Sequence, residues 1–137
     1  CPCERIEWRV CVLNANPAYS VLSATYPGTS FAGGDAVLFE PSHSGSLIRK
    51  ACEKGYTASG AYPSGFQFTM PVFGAYSEAQ GNGLYVAVHD RQAMRKQMRV
   101  QCFPNGQGTF EFEFPAIHMG VPATAFSLAG CLVWQRF

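Results

Sequence analysis

Charge is scarce in this chain. Only 14% of its 137 residues are Asp, Glu, Lys or Arg, against roughly 25% in an ordinary globular domain. The formal net charge of +1 gives no electrostatic footprint for nucleic acid or an anionic membrane, and neither is expected as a partner. So sparse a charged surface is expected to be covered in part by a neighbouring domain or another subunit. No apolar run approaches the ~18 residues of a membrane-spanning helix, and no basic-then-apolar leader opens the chain. Walker loops and dinucleotide fingerprints are missing, so no cofactor is expected. There is no Cys-x-x-Cys pair to suggest zinc, no internal repeat and no low-complexity tract.

What is present is apolar and aromatic: 47% hydrophobic and 14% aromatic residues, enough for one well-filled core. Residues 1–137 are therefore read as a single domain. The chain opens at Cys1 rather than Met and stops at Phe137 inside an apolar run, so it is expected to be part of a longer protein. Six cysteines are too few to replace a core. If all were paired they would allow 15 connectivities, and spacing does not choose among them. Cys11, Cys102 and Cys131 fall inside predicted strands and read as buried free thiols. The redox compartment stays open.

Alternation with period two dominates. Ile6, Trp8, Val10 and Val12 share one face of a half-buried strand, with Glu7 and Arg9 on the other. Tyr19 to Thr25 reads as a second strand closed by Tyr26-Pro27-Gly28, and Gly33-Gly34-Asp35 as a turn. Ala36 to Phe39 and Leu47-Ile48 are short strand candidates. Phe66 to Met70 alternates and continues through Pro71 to Tyr76. A Gly-Asn-Gly turn and Gly83 to Val88 complete a hairpin. Met98 to Cys102 alternates again. Phe110 to Phe114 places three phenylalanines on one face and Glu111 and Glu113 on the other. Leu128 to Phe137 is a last, apolar strand. About eight or nine short strands without crossover helices predict an all-β antiparallel sandwich with little helix.

Catalytic chemistry is hard to find. His43, His89 and His118 lack a second ligand at helical or hairpin spacing, so no metal site is expected. Glu111 and Glu113 lie two apart on one strand, pointing the same way about 7 Å apart. Retaining glycosidases need two carboxyls ~5 Å apart on opposite sides of the sugar, so this pair reads as a solvated face. Ser42, Ser44, Ser46 and Ser64 lack the Gly-x-Ser-x-Gly elbow. Arg91, Arg95, Lys96 and Arg99 read as a solvated strand edge. His89-Asp90 sits where a strand gives way to a loop, with Asp90 expected to make an Asx turn. Tyrosines beside polar groups suit the apolar faces of sugar rings. Tyr62 and Tyr76, next to turns, are the candidates for carbohydrate contact, with His89 and Asp90 beside them. Trp8 and Trp134 read as core.

The run Tyr62-Pro63-Ser64, Phe66 to Tyr76 and Gly83 to Asp90 resembles the galactose-mutarotase-like amino-terminal β-sandwich of a group of glycoside-hydrolase-like proteins. Such domains carry a Tyr-Pro, a methionine-bearing strand (Met70 here), a glycine turn, and a Gly-Leu-Tyr strand ending in His-Asp. Trp8, Tyr26-Pro27, Gly45 before Leu47-Ile48, Pro122 and the closing Trp134 to Phe137 also fit. The resemblance implies a sandwich packed on a catalytic (β/α)₈ barrel that would follow Phe137, and no catalytic residue within this chain. The expected function is then a non-catalytic domain of a carbohydrate-active protein that shapes the sugar cleft. A free-standing carbohydrate-binding module and a self-assembling structural β-protein are the alternatives.

Overall fold

The computed structural model describes residues 4–13, 18, 21–90, 93–115 and 125–136; in the first and last strands only Ile6 and Glu7 are described beyond the backbone. The strands are β1 (Glu4–Leu13), β2 (Ser23–Ala32), β3 (Val37–Glu40), β4 (Ser46–Ile48), β5 (Thr57–Tyr62), β6 (Val72–Ser77), β7 (Asn82–Ala87), β8 (Lys96–Cys102), β9 (Gln107–Pro115) and β10 (Ala125–Arg136). Among the described residues there is no helix. One sheet has six strands in the order β1-β10-β7-β6-β3-β4, the other four in the order β2-β9-β8-β5. Every pairing is antiparallel. The all-β sandwich expected from the alternation is the architecture found.

The interior is made by the phenylalanines that alternate along β9. Phe110 and Phe112 are fully buried and Phe114 nearly so. Phe73 of β6 reaches them from the opposite sheet, its ring 5.1 Å from Phe110 and 5.7 Å from Phe112. Phe31 of β2 stacks on Phe110 at 4.6 Å, and Phe68 meets Phe73 edge-on at 5.5 Å. Such ring pairs add about 0.5–1.5 kcal/mol each to the burial of their area. Gly108 makes room for this stack: a Cβ there would stand 2.1 Å from Phe31 Cζ. Leu38, Val86, Val88, Met98 and Val100 complete the core.

Three details depart from the sequence reading. The second strand is not closed by Tyr26-Pro27-Gly28; β2 runs on to Ala32, with a register shift between Thr25 and Gly28. A bulge on an edge strand absorbs a proline because the missing N–H has no partner to lose there. Phe66 to Met70 is not strand but a loop, touched only by an isolated bridge between Ser42 and Phe68. Ile6, placed on the buried face of its strand, is 60% exposed, on an edge strand of the larger sheet. Trp8, Trp134, Tyr19, Cys11, Cys131 and His118 lie outside the residues whose side chains are described.

Buried polar groups in the interior have partners, as burial demands. The Tyr56 hydroxyl donates to the Glu40 carboxylate. Burial, reinforced by that carboxylate, pushes the phenol pKa well up. Ser77 donates to Asp35 at 2.5 Å.

Candidate functional site

β5 ends at Tyr62, whose ring faces inward and is half-buried. Opposite it in register stands Lys96, the first residue of β8 and also inward-facing. Lys96 is fully buried. Its ammonium lies 4.8 Å from the centre of the Tyr62 ring and 5.7 Å from that of Phe114. It donates to Asp90 at 3.1 Å and to the Met94 carbonyl at 2.5 Å. Burial pulls the Lys96 pKa down, and Asp90 opposes that pull. A buried cation needs this company: a paired carboxylate, a carbonyl and two ring faces replace its water.

The Asx turn expected at Asp90 involves residue 92, which lies outside the described residues. The Asp90 carboxylate accepts from the Met94 amide at 2.6 Å as well as from Lys96, so one side chain ties the segment after β7 to the start of β8. His89 is exposed, just past the end of β7. Tyr62 and Asp90 thus come together around Lys96, with His89 adjacent in the chain. Lys96 had been read as part of a solvated edge. Its place at an inward position of β8 corrects that.

Chain neighbours of this cluster line an open depression of about 540 Å³, among them Pro63, Ser64, Phe66, Gln67, Ala93 and Arg95. Phe66 is 89% exposed, the most exposed large hydrophobic residue described. The loop carrying it is firmly held. Gln67 Oε1 accepts from the Ala61 amide at 2.6 Å. Ser64 Oγ accepts from the amides of Phe66 at 3.3 Å and Gln67 at 3.2 Å. Thr69 donates from its amide to the Pro41 carbonyl at 2.9 Å and from its hydroxyl to the His43 carbonyl at 2.8 Å. An ordered loop therefore presents a phenyl ring to solvent beside an amide, a hydroxyl and a guanidinium. That combination can stack on an apolar face of a ligand and hydrogen-bond its rim. Reading Phe66 to Met70 as a strand concealed Phe66. The usable signal was local: Pro63 and Ser64-Gly65 before it and Pro71 after it mark a loop.

Tyr76 is elsewhere. Val72 pairs with Ala87 at one end of the β6–β7 hairpin and Ser77 with Asn82 at the other, so Tyr76 lies at the far end from His89 and Asp90. There it borders a second cleft of about 410 Å³, together with Thr29, Ser30, Ser77, Gln80 and Asn82. Gly83, its register partner, is needed for its seat: a Cβ at 83 would lie 2.8 Å from Tyr76 Cβ. The four residues singled out as carbohydrate contacts therefore form two places, not one. Glu111 and Glu113 lie side by side on the outer face of β9, with Glu111 3.7 Å from Arg99. Among the described residues no three His, Cys, Asp or Glu side chains converge on a point that would hold a metal.

No protein-family model, curated protein or solved structure matches this chain, so the likeness of the Tyr62 to Asp90 segment to galactose-mutarotase-like sandwiches stands on its sequence pattern alone.

Proposed function

We propose that this chain is a non-catalytic β-sandwich domain of a carbohydrate-active protein, and that it contacts saccharide through the Phe66 loop. The observation that carries the reading is Phe66 itself. Ordering a large apolar ring in water gives the fold nothing, yet four hydrogen bonds from Ser64, Gln67 and Thr69 hold its loop in place. A ring so displayed beside Gln67 and Arg95 suits the stacked and hydrogen-bonded faces of a sugar. The Tyr62–Lys96–Asp90 cluster serves as its foundation, not as its contact surface.

The measurement is binding of a glycan panel to the purified chain, followed by titration of the glycans that bind. Phe66→Ala should weaken binding at least tenfold, about 1.4 kcal/mol, while Phe66→Trp retains it. A panel that gives no binder, or a binder indifferent to Phe66→Ala, sinks the reading.

A second feature favours an accessory domain over a free-standing module. On the outer face of the larger sheet, Leu47, Phe39, Gly74 and Tyr85 stand in one cross-strand row. Leu47 is 58% and Tyr85 41% exposed. In the proposed parent protein this row is the surface that packs on the neighbouring catalytic domain.

A further inference from the structure

Folding brings together two thiols that the saccharide reading does not use. Cys52 lies in the turn between β4 and β5, and Cys102 ends β8. Both are free and almost wholly buried, at 1% and 3% exposure. The backbone ties their surroundings together twice. Cys52 Sγ donates to the Gln107 carbonyl at 3.5 Å, and that carbonyl also accepts from the amide of Phe103, next to Cys102, at 2.7 Å. The Cys102 amide donates to the Tyr56 carbonyl at 2.8 Å, while the Tyr56 amide donates to the carbonyl of Ala51, next to Cys52, at 2.9 Å. The Cys52 thiol and the peptide that follows Cys102 thus meet at one acceptor, the Gln107 carbonyl. Each cysteine is thus held by a network that includes the other's neighbour.

We propose that Cys52 and Cys102 are a disulfide-forming pair, closed by exchange with a low-molecular-weight disulfide such as glutathione disulfide. One cysteine thiolate attacks a sulfur of the oxidant, forming a mixed disulfide and releasing one glutathione thiolate. The second cysteine then attacks the protein sulfur of that mixed disulfide and expels the other glutathione. Two protein S–H bonds are lost and one S–S bond forms; the two protons pass to the two departing glutathione thiolates. Closure brings the two sulfurs to a bond of about 2.05 Å. Access is the slow step. The oxidant cannot reach thiols this buried until the Cys52 turn opens, and burial together with Cys52 pushes the Cys102 pKa up to about 12, which keeps that thiol protonated.

The experiment takes the whole chain, reduced and then incubated in glutathione redox buffer with enough urea to loosen the turn but not to unfold the protein. Remaining thiols are alkylated and the peptides mapped by mass spectrometry. The expected result is a linked pair of peptides carrying Cys52 and Cys102, lighter by two hydrogens and separated by dithiothreitol. The closed loop of roughly 50 residues should raise Tm by about 10 °C. That rise should be absent from Cys52→Ser, which keeps a donor for Gln107 and distinguishes this bond from pairing among the other cysteines. Full alkylation of both residues after prolonged incubation, or either one found joined to a different cysteine, overturns the assignment. Neither result bears on glycan binding.

Discussion

Across the outer face of the four-stranded sheet, Ser59, Arg99 and Glu111 stand in one row and Ala61, Gln97 and Glu113 in the next. Across the six-stranded sheet a comparable row reads Leu47, Phe39, Gly74 and Tyr85. The inner faces of the two sheets are alike, both packed around Phe73, Phe110 and Phe112. Burial of the core therefore does not account for the contrast outside. A polar row with a partly exposed ion pair belongs in water. A row of Leu, Phe and Tyr over a glycine, with a groove of about 140 Å³ beside it, is the face that the proposed accessory role assigns to a neighbouring domain. The cross-strand rows described on the two outer faces thus differ in polarity.

The strongest way to break this comparison is to show that the two inner faces are not equivalent. Phe73→Ala and Phe110→Ala, one from each sheet, should each lower the unfolding free energy by about 3–5 kcal/mol in urea titrations. A mild effect in only one of them would mean that one sheet carries the core. Next comes the end of the sandwich under the Phe66 loop. Lys96→Ala breaks the buried Lys96–Asp90 pair and should cost about 3 kcal/mol. The double variant Asp90→Asn, Lys96→Met should recover most of the loss, because replacing both members of a buried pair costs less than removing one.

A pH series sharpens the account of the interior. Tyr56 and Cys102 hold their protons more tightly in the fold, against ordinary values of 10.0 for the phenol and 9.0 for the thiol. Their stabilising contribution is complete below those unfolded values and is lost as pH rises above them toward the folded ones. Tm should therefore fall from about pH 9 upward, and Tyr56→Phe should flatten part of that fall. Smallest are the outer faces. Tyr85→Ser and Arg99→Ala should each change the stability of the isolated chain by under about 0.5 kcal/mol. On the proposed accessory role they should part company only where the chain is joined to a neighbouring domain, with Tyr85→Ser loosening that packing and Arg99→Ala leaving it unchanged. Differential scanning of the chain and limited proteolysis of the chain joined to such a domain read the two.

The alternation of large apolar residues made β9, the β6–β7 hairpin and β8 legible, because each puts bulky side chains into a common core. β5 escaped notice for the opposite reason: Thr57 to Ala61 is made of small residues, and its inward positions Ala58 and Gly60 have little bulk to alternate. Lys96 was misjudged because composition says lysine belongs outside. Only the fold brings Asp90, Met94 and two rings around it. Tyr62 and Asp90 were singled out as carbohydrate contacts, and the geometry has them enclosing a cation. Phe66 passed for one more core phenylalanine in an alternating run. The loop signals at Pro63, Ser64-Gly65 and Pro71 were outweighed by that alternation.

The Gln67 brace separates what the Phe66 loop displays from what holds the protein together. Its anchors are backbone groups and the side chains of Ser64, Gln67 and Thr69, so the residue at 66 is free to change without disturbing the interior. Tryptophan, tyrosine or leucine there would alter what the surface prefers while leaving the melting behaviour of the chain nearly constant. On the proposed saccharide contact, selection can retune recognition at this position in single steps, each almost neutral for folding.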